Sequence, residues 1–427
     1  MVSPLTFPRR AIRLVDEALA DTPIVAINGP RQVGKSTLAR QVASERGGVM
    51  VTLDDDTQRR AAAGDPRGFV ERDMAHGPLV IDEVQLVPEL FRALKAKVDR
   101  DRRPGRFVLT GSTRLLSEEG FADAFVGRIE VVELWPLSQG ELHNNDDGFV
   151  DWAFSSSAPT ISAGQLSRPD YLDRLASGGL PEAVQRDGPR RARWFQSYIT
   201  TLTERVVRQV SGIARTAELP RIIALCAARS GEELNVTKLA SQLAIPARTL
   251  DGYLALLAKV FGIQLLPAWP TNISKKVVRR PKLIMVDCGL ASQLTGLNRN
   301  RVDDPTAPFG PLLEAFVAME VHKQLTWSRE PASLWHYRDR DGAEVDLVLE
   351  HADGRIVGIE VKAARSVSDR DSSGLRVLRH ALGDRFHAGF VLSCMPEVTP
   401  LGDRIMALPI EALWRTTFQP HLKLLPV

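Results

Sequence analysis

The sequence predicts an α/β fold in which a parallel sheet with flanking helices is followed by a helical module and a second α/β domain. Short apolar runs alternate with helical patterns in the amino-terminal part of the chain, as is usual for parallel sheets. A glycine-containing loop follows the first apolar run and precedes a helical pattern. Towards the carboxyl end, two strand patterns flank a glycine-containing turn and carry acidic residues.

These patterns divide the chain into successive segments. Residues 1–143 are expected to form the sheet domain, and residues 144–215 a linker with a helical, lid-like segment. Residues 216–295 form the helical module, and residues 305–427 form the second α/β domain. The stretch 143–169 is polar, contains turn-forming residues and shows no sustained periodicity. It is interpreted as a linker or a long surface loop.

Composition narrows the class of protein. A chain of 427 residues has room for about two to four domains, and its 44% hydrophobic and 25% charged residues argue against disorder. The net charge of +3 permits contact with nucleic acid without requiring it. Three cysteines without paired spacing predict neither a disulfide framework nor a zinc site. Because no long apolar run or signal-like segment is present, we expect a cytoplasmic protein.

A phosphate-binding loop is the strongest motif of the chain. It consists of Gly29, Pro30, Arg31, Gln32, Val33, Gly34, Lys35 and Ser36, and Thr37 follows it. The spacing fits G-x-x-x-x-G-K-[ST], in which backbone N–H groups line the phosphates, the lysine reaches the β/γ oxygens and the hydroxyl holds Mg²⁺. An ordinary turn between a strand and a helix is the alternative, and the strand-like and helical flanks disfavour it.

Acidic residues follow two of the apolar runs. Asp82 and Glu83 end the run 78–81, where Asp82 would support Mg²⁺ and Glu83 would orient the attacking water. The alternative is that both acids cap the next helix, and the nearby phosphate loop disfavours it. Residues 54–56 are three consecutive aspartates, for which a helix cap is favoured over a metal cluster.

Two further positions are candidates for phosphate chemistry. Thr110 and Ser112 follow another apolar strand and would touch the γ-phosphate or the water. Arg128 stands just before the next strand. It is interpreted either as an arginine finger, within its own chain or toward a neighbouring subunit, or as an ordinary surface arginine.

Four blocks of the sequence together resemble a family of prokaryotic AAA+-like P-loop ATPases. They are GPRQVGKST, LVIDEVQLVPEL, FVLTGSTRLL and VGRIEVVELWPLSQGEL, in this order between residues 20 and 142. The resemblance implies ATP and Mg²⁺ as cofactors and hydrolysis assisted by Asp82 and Glu83. It also implies Thr110 or Ser112 as the γ-phosphate sensor and Arg128 as the finger. Because AAA+-like ATPases often form rings, a homo-oligomer is a further implication.

The segment 216–295 resembles a winged helix-turn-helix. Helical patterns at 221–229, 236–243 and 247–260 precede two strand patterns at 262–266 and 282–286. The tip between the strands, 275–282, is strongly basic, and together with Arg248 and Thr249 it predicts contact with DNA. Because the third helix is rich in leucine, docking of a protein partner is the alternative. The arginines of the helix 191–210 form a basic surface that either faces phosphates or is simply solvated.

The second α/β domain carries a second candidate site. Asp346 on one strand pattern and Glu360 and Lys362 on the next are expected to meet across a hairpin, with the last two on one face. Two carboxylates can bind Mg²⁺, and a lysine beside them can position water for phosphodiester hydrolysis. This arrangement resembles the D…E-x-K core of the restriction-endonuclease-like superfamily, whose usual proline is replaced here by Val345. Glu314 is similar to that superfamily's additional acid.

These motifs lead to one functional expectation and one rival. The sequence predicts an ATP-hydrolysing protein that couples nucleotide state to a DNA-binding, nuclease-like carboxyl-terminal region. The rival is a nucleotide-gated regulatory or protein-docking switch in which the nuclease-like domain does not cut. A third interpretation treats Asp346, Glu360 and Lys362 as a surface ion-pair cluster. No membrane partner is expected.

Overall fold

The computed structural model describes most of the chain and divides it into two compact units. The described residues are 7–72, 77–145, 147–155, 164–209, 218–270, 279–301, 303–339 and 342–415. The first unit comprises Met1–Leu137 and Lys259–Phe261, and the second comprises Ser138–Ala258 and Gly262–Val427.

The first unit is built on a parallel sheet. Its strands are β1 (Ile24–Asn28), β2 (Val49–Thr52), β3 (Leu79–Asp82), β4 (Phe107–Gly111) and β5 (Ile129–Glu133). They lie in the order β2-β3-β4-β1-β5, and all neighbours in this described sheet are parallel. The helices are α1 (Ala11–Asp21), α2 (Lys35–Glu45), α3 (Asp56–Gly64), α4 (Pro66–Val70), α5 (Glu89–Arg100) and α6 (Phe121–Phe125). The predicted parallel sheet with flanking helices is confirmed.

Helices cover both faces of this sheet, which explains the uninterrupted apolar runs. Along β1, Ile24 and Ala26 join one buried cluster, whereas Val25 and Ile27 join another on the opposite face. The carboxyl ends of β1, β3 and β4 lie at one edge, where the N–H of Gly29 donates to the carbonyl of Gly111 at 3.3 Å. This edge is where open α/β sheets bind ligands.

The second unit begins with helices and a strand pair. The helices are α7 (Gln139–His143), α8 (Phe149–Ala153), α9 (Arg168–Ser177), α10 (Pro181–Val184), α11 (Gly188–Gln209), α12 (Leu219–Ala228), α13 (Val236–Leu243), α14 (Ala247–Lys259) and α15 (Cys288–Thr295). Strands β6 (Ile263–Leu266) and β7 (Lys282–Met285) pair antiparallel between α14 and α15. The three helices and the strand pair expected from 221–286 are present.

The expected linker is only partly irregular. Helix α8 lies inside it, and Phe149 and Trp152 pack on Phe390 with ring centroids 5.4 and 5.1 Å apart. The linker interpretation is therefore wrong for residues 149–153, because a helix of five residues is too short to show a helical period. Residues 156–163 of that stretch lie outside the described residues.

A mixed sheet forms the carboxyl-terminal part of the second unit. Helix α16 (Phe309–Trp327) precedes β8 (Ala332–Arg338), β9 (Glu344–His351), β10 (Ile356–Lys362), α17 (Ser373–Leu382), β11 (Phe386–Ser393), β12 (Thr399–Gly402), β13 (Ile405–Pro409) and α18 (Ala412–Arg415). The described strands lie in the order β12-β13-β11-β10-β9-β8. The predicted hairpin is β9–β10, whose antiparallel register pairs Ile359 with Leu347. The next opposed positions in this register are Glu360 and Asp346.

The basic tip of the β6–β7 pair is described only in part. Residues 271–278 lie outside the described residues, whereas Arg279 and Arg280 are exposed. Lys282 is buried at 2% exposure, so its assignment to an exposed basic patch is wrong. No helix in the described part of the chain is long and apolar enough to span a membrane.

Candidate nucleotide-binding site and carboxylate–lysine cluster

The loop 29–36 connects β1 to α2 and depends on its two glycines. Gly34 has φ +101°, a left-handed conformation that disfavours side chains, and it is the N-cap of α2. A Cβ at Gly29 would overlap the carbonyl oxygen of Leu134. The two glycines therefore allow a tight loop. The first N–H groups of α2 and the positive end of its helix dipole face this loop.

Lys35 and Ser36 begin α2 and point into this site. Lys35 is 4% exposed, and its Nζ donates to the carbonyl of Pro30 at 2.7 Å. The Ser36 hydroxyl donates to Asp82 at 2.9 Å to Oδ1 and 3.1 Å to Oδ2. The two oxygen donors predicted to serve Mg²⁺ are therefore in direct contact.

Asp82 is held by hydroxyls from three elements. Besides Ser36, Thr110 Oγ1 donates to its Oδ1 at 2.5 Å, and Thr52 Oγ1 donates to its Oδ2 at 3.3 Å. A carboxylate beside hydroxyl oxygens suits Mg²⁺, a hard cation that prefers oxygen ligands and retains several waters. The donor set of Ser36 and Asp82 thus fits the cation that the phosphate loop implies.

Glu83 follows Asp82 in an unusual backbone conformation. Its φ of +56° is left-handed for a residue other than glycine, and its N–H donates to Thr110 Oγ1 at 3.0 Å. Its Oε2 accepts from the Ser112 hydroxyl at 2.6 Å and from the Gln85 amide. The carboxylate is therefore aimed and held by side chains at the carboxyl edge of the sheet.

Thr110 and Ser112 contact the two acids rather than open space. Thr110 bridges Asp82 and the backbone of Glu83, and Ser112 orients the carboxylate of Glu83. A γ-phosphate contact by either hydroxyl stays a prediction. Sequence reasoning placed both at the right edge but did not foresee that they position the acids.

The aspartates 54–56 do not all have the same role. Asp55 caps α3, since its Oδ1 accepts from the N–H groups of Thr57 at 2.8 Å and Gln58 at 3.0 Å, so the cap interpretation is confirmed for this residue. Burial, and then the charge of Glu83, raise the pKa of Asp54. Asp54 is therefore a neighbour of the acidic pair that sequence reasoning missed.

Arg128 lies away from the phosphate loop of its own chain. It directly precedes β5, whose first residue pairs with Ile24 at the start of β1, whereas the loop follows the end of β1. Its Nε donates to Asp99 at 2.6 Å. A finger acting within the same chain does not fit this placement, so only an action on a second copy stays a prediction.

A different arginine contacts the loop. Arg9 precedes α1 and donates through its guanidinium to the carbonyls of Val33 and Trp135, each at 2.6 Å. It therefore joins the phosphate loop to the segment after β5. The sequence showed only two adjacent arginines at a helix start, which carried no signal for this contact.

The second candidate site lies in the second unit and contains an unexpected lysine. The Nζ of Lys282, from β7, lies 2.6 Å from Glu314 Oε1, 3.1 Å from Glu344 Oε1 and 3.2 Å from Asp346 Oδ1. Asp346 Oδ2 accepts from the N–H of Val361 at 2.9 Å. The structure thus gathers Glu314 and Asp346, as predicted, but around an ammonium group.

Glu360 and Lys362 complete this carboxylate–lysine cluster. Lys362 Nζ donates to Glu360 Oε2 at 2.8 Å. Burial, and then the neighbouring charge of Asp346, raise the pKa of Glu360 to about 9 and that of Glu314 to about 8. Burial alone would raise the pKa of Asp346 as well, but the charges of Lys282 and Lys362 hold it below its ordinary value.

All four predicted residues of the second site therefore come together, and two more join them. Sequence reasoning missed Glu344, and it assigned Lys282 to a different surface. Within the described residues, no group of three or more acidic, histidine or cysteine side chains has the arrangement of a metal site. The ammonium group of Lys282 lies between Glu314 and Asp346, which were expected to hold a divalent cation.

Comparison with protein families divides the chain into three parts. Residues 21–143 match an AAA domain, residues 168–301 match a domain of unknown function, DUF8612, and residues 309–413 match another, DUF4143. This part of the first unit is therefore similar to AAA domains. This match supports a nucleotide-binding, ATPase-like function.

Two curated mycobacterial proteins are similar along nearly the whole chain. Uncharacterized protein Rv2008c of Mycobacterium tuberculosis and uncharacterized protein Mb2031c of Mycobacterium bovis are each 29% identical over 411 residues. The alignments cover 96% of this chain and 85% of each relative. The similarity therefore runs through both units.

Solved structures show weaker likeness. The Walker-type ATPase PABY2304 of Pyrococcus abyssi is 16% identical with a TM-score of 0.40, and the match covers 69% of this chain and 99% of that protein. A RuvB variant of Thermotoga maritima is 17% identical with a TM-score of 0.31, covering 62% and 90%. Neither likeness bears on the function of this chain.

Proposed function

We propose that the first unit binds ATP with Mg²⁺ at residues 29–36 and hydrolyses it. The backbone of the loop and Lys35 would bind the phosphates, while Ser36 and Asp82 would hold Mg²⁺, which neutralises phosphate charge. Glu83 would orient and polarise the attacking water. Arg128 would act only on a second copy of the chain.

One observation carries this proposal. The hydroxyl of Ser36, at the end of the phosphate loop, contacts Asp82 at 2.9 Å, and the adjacent Glu83 carboxylate is held by Ser112 at 2.6 Å. A cap for the following segment would need neither contact. The pair therefore supports phosphoryl transfer to water better than a purely structural role.

The test is ATP turnover by the full chain with and without Mg²⁺. We expect Glu83→Gln to lower kcat by about 100-fold or more while ATP still binds, because only the water-activating carboxylate is lost. Lys35→Ala should lose ATP binding as well. Glu89→Gln, the same change at an exposed position of α5, is the matched control. Native turnover in Glu83→Gln would contradict the proposal.

We further propose that the nucleotide state of the first unit governs an action of the second unit on nucleic acid, with DNA as the favoured partner. The order α12, α13, α14, β6, β7 supports a winged-helix interpretation. Arg248 on α14 and Arg279 and Arg280 before β7 are exposed and so available to phosphates. Docking of a protein partner remains the alternative, and a cytoplasmic location is part of the same proposal.

Of the two forms of this action, the contacts of Lys282 favour the switch without cleavage. The ammonium group of Lys282 takes the position between the carboxylates at which phosphodiester hydrolysis would need a divalent cation. We therefore expect supercoiled DNA to stay intact with the native chain, ATP and Mg²⁺. Nicking that disappears in Asp346→Ala and Lys362→Ala but persists in Lys35→Ala would instead establish a nuclease.

A filter-binding titration tests the nucleic-acid partner. Arg248→Ala should weaken DNA binding about equally for different sequences and reduce its salt dependence, as expected for a phosphate contact. Lys238→Ala, at an exposed position of the neighbouring α13, is the control. Absence of DNA binding by the native chain in every nucleotide state would favour a protein partner.

A further inference from the structure

The Nζ of Lys282 lies between Glu314 and Asp346, two of the carboxylates that were expected to bind a metal. Its three contacts, 2.6 to 3.2 Å to Glu314, Glu344 and Asp346, are direct ion pairs. The lysine side chain is 3% exposed. An ammonium group therefore occupies the point at which these carboxylate oxygens converge.

The backbone of Lys282 is fixed on both sides of β7. Lys282 pairs with Leu266 of β6 and forms a bridge with Glu233. The adjacent N–H of Leu283 donates to the carbonyl of Glu232 at 2.9 Å. These pairings fix the backbone position from which the side chain of Lys282 reaches the carboxylates.

Charge balance supports the same conclusion. Glu344 also lies 3.5 Å from Arg338, and Glu360 is paired with Lys362 at 2.8 Å. Glu314 and Asp346 share Lys282. Three described cations, Lys282, Arg338 and Lys362, thus face the four carboxyl groups. A divalent cation added beside the buried ammonium group of Lys282 would be repelled strongly.

We propose that Lys282 is the resident counter-ion of this cluster and takes the place that a divalent cation would otherwise hold. The lysine fastens the β6–β7 pair to α16 and β9, and the nuclease-like sheet binds no Mg²⁺ at Asp346. This inference extends the proposed switch without cleavage. It rests on the proposed function only where it concerns that switch.

The test measures Mn²⁺ binding by the nucleotide-free full chain. The electron paramagnetic resonance signal of free Mn²⁺ is the readout. The native chain and Asp346→Asn should bind Mn²⁺ equally. Lys282→Met should gain one Mn²⁺ site, with binding at least about tenfold tighter than in the native chain, since uncompensated carboxylates are good ligands for hard cations. The double variant with Asp346→Asn should lose this site again, and Lys238→Met should gain none.

Two results would overturn the inference. One is a Mn²⁺ site in the native chain that Asp346→Asn removes, which can be measured even if Lys282→Met does not fold. The other is a folded Lys282→Met variant that gains no site. ATP turnover and DNA nicking are separate readouts, so failure of the proposed ATPase would leave this result unaffected.

Discussion

Arg9 shows how a single residue outside the motif can hold the phosphate loop. Its guanidinium bridges the carbonyls of Val33 and Trp135 at 2.6 Å each, and the loop must keep its N–H groups aimed at the phosphates. A planar, multiply donating group suits this bridge better than an ammonium group does.

We therefore expect Arg9→Ala and Arg9→Lys to weaken ATP binding by about tenfold, equivalent to about 1.4 kcal/mol, while kcat at saturating ATP changes little. Loss of loop geometry acts on binding, whereas Glu83 and its partners stay in place. Titration with a fluorescent ATP analogue and steady-state kinetics would separate the two effects. Arg13→Ala, which removes an exposed pair with Glu17, should bind ATP normally.

At the scale of elements, strand β10 and helix α16 carry buried carboxyls, Glu360 and Glu314, whose titration is linked to folding. The pKa of Glu360 is raised to about 9 and that of Glu314 to about 8, by burial first and by Asp346 second. A carboxyl whose pKa is higher in the folded state stabilises that state at low pH. Its contribution is full below the unfolded pKa near 4.5 and is lost as pH rises to about 9.

The stability of the second unit should therefore fall as pH rises from about 5 to 9. Glu360→Gln should make this dependence shallower, because the amide keeps a neutral side chain at every pH. Urea unfolding followed by tryptophan fluorescence at several pH values measures the slope. Glu397→Gln, a change at an exposed position of the same domain, should show the slope of the native chain. A slope in Glu360→Gln equal to that of the native chain would contradict the prediction.

Elements with a local signal were predictable, and contacts between distant segments were not. The run before Asp82 was predictable as a strand because it is apolar throughout, and the β9–β10 hairpin because its turn contains Gly354. Helix α8 was missed because five residues cannot show a period. Lys282 was assigned to a basic tip because its carboxylate partners lie 32 to 64 positions away along the chain.

At the scale of the whole molecule, the same limit applies to Arg128. Its position before β5 was predicted correctly, but the edge of the sheet that it occupies could not be told from the sequence. The register of β5 with β1 places it at the amino edge, bonded to Asp99 at 2.6 Å. Its own phosphate loop lies at the carboxyl edge, so a contact between copies is needed for any catalytic role.

A head-to-tail assembly would bring these two edges together, because a heterologous contact joins different surfaces of neighbouring copies. Arg128 would then exchange Asp99 for the phosphates of the next chain. We expect turnover per chain to rise with protein concentration, and Arg128→Ala to lower kcat by about 1000-fold, the effect of losing an arginine finger.

Mixing variants distinguishes this role from a structural one. Lys35→Ala lacks a working phosphate loop but keeps Arg128, whereas Arg128→Ala keeps the loop, so each is inactive alone and a mixture should recover turnover at shared contacts. Arg102→Ala, which removes a more distant partner of Asp99 at 3.9 Å, is the control and should turn over ATP normally. Full activity of Arg128→Ala at every protein concentration would show that the arginine only pairs with Asp99, because a finger acting between copies cannot be removed without loss of turnover.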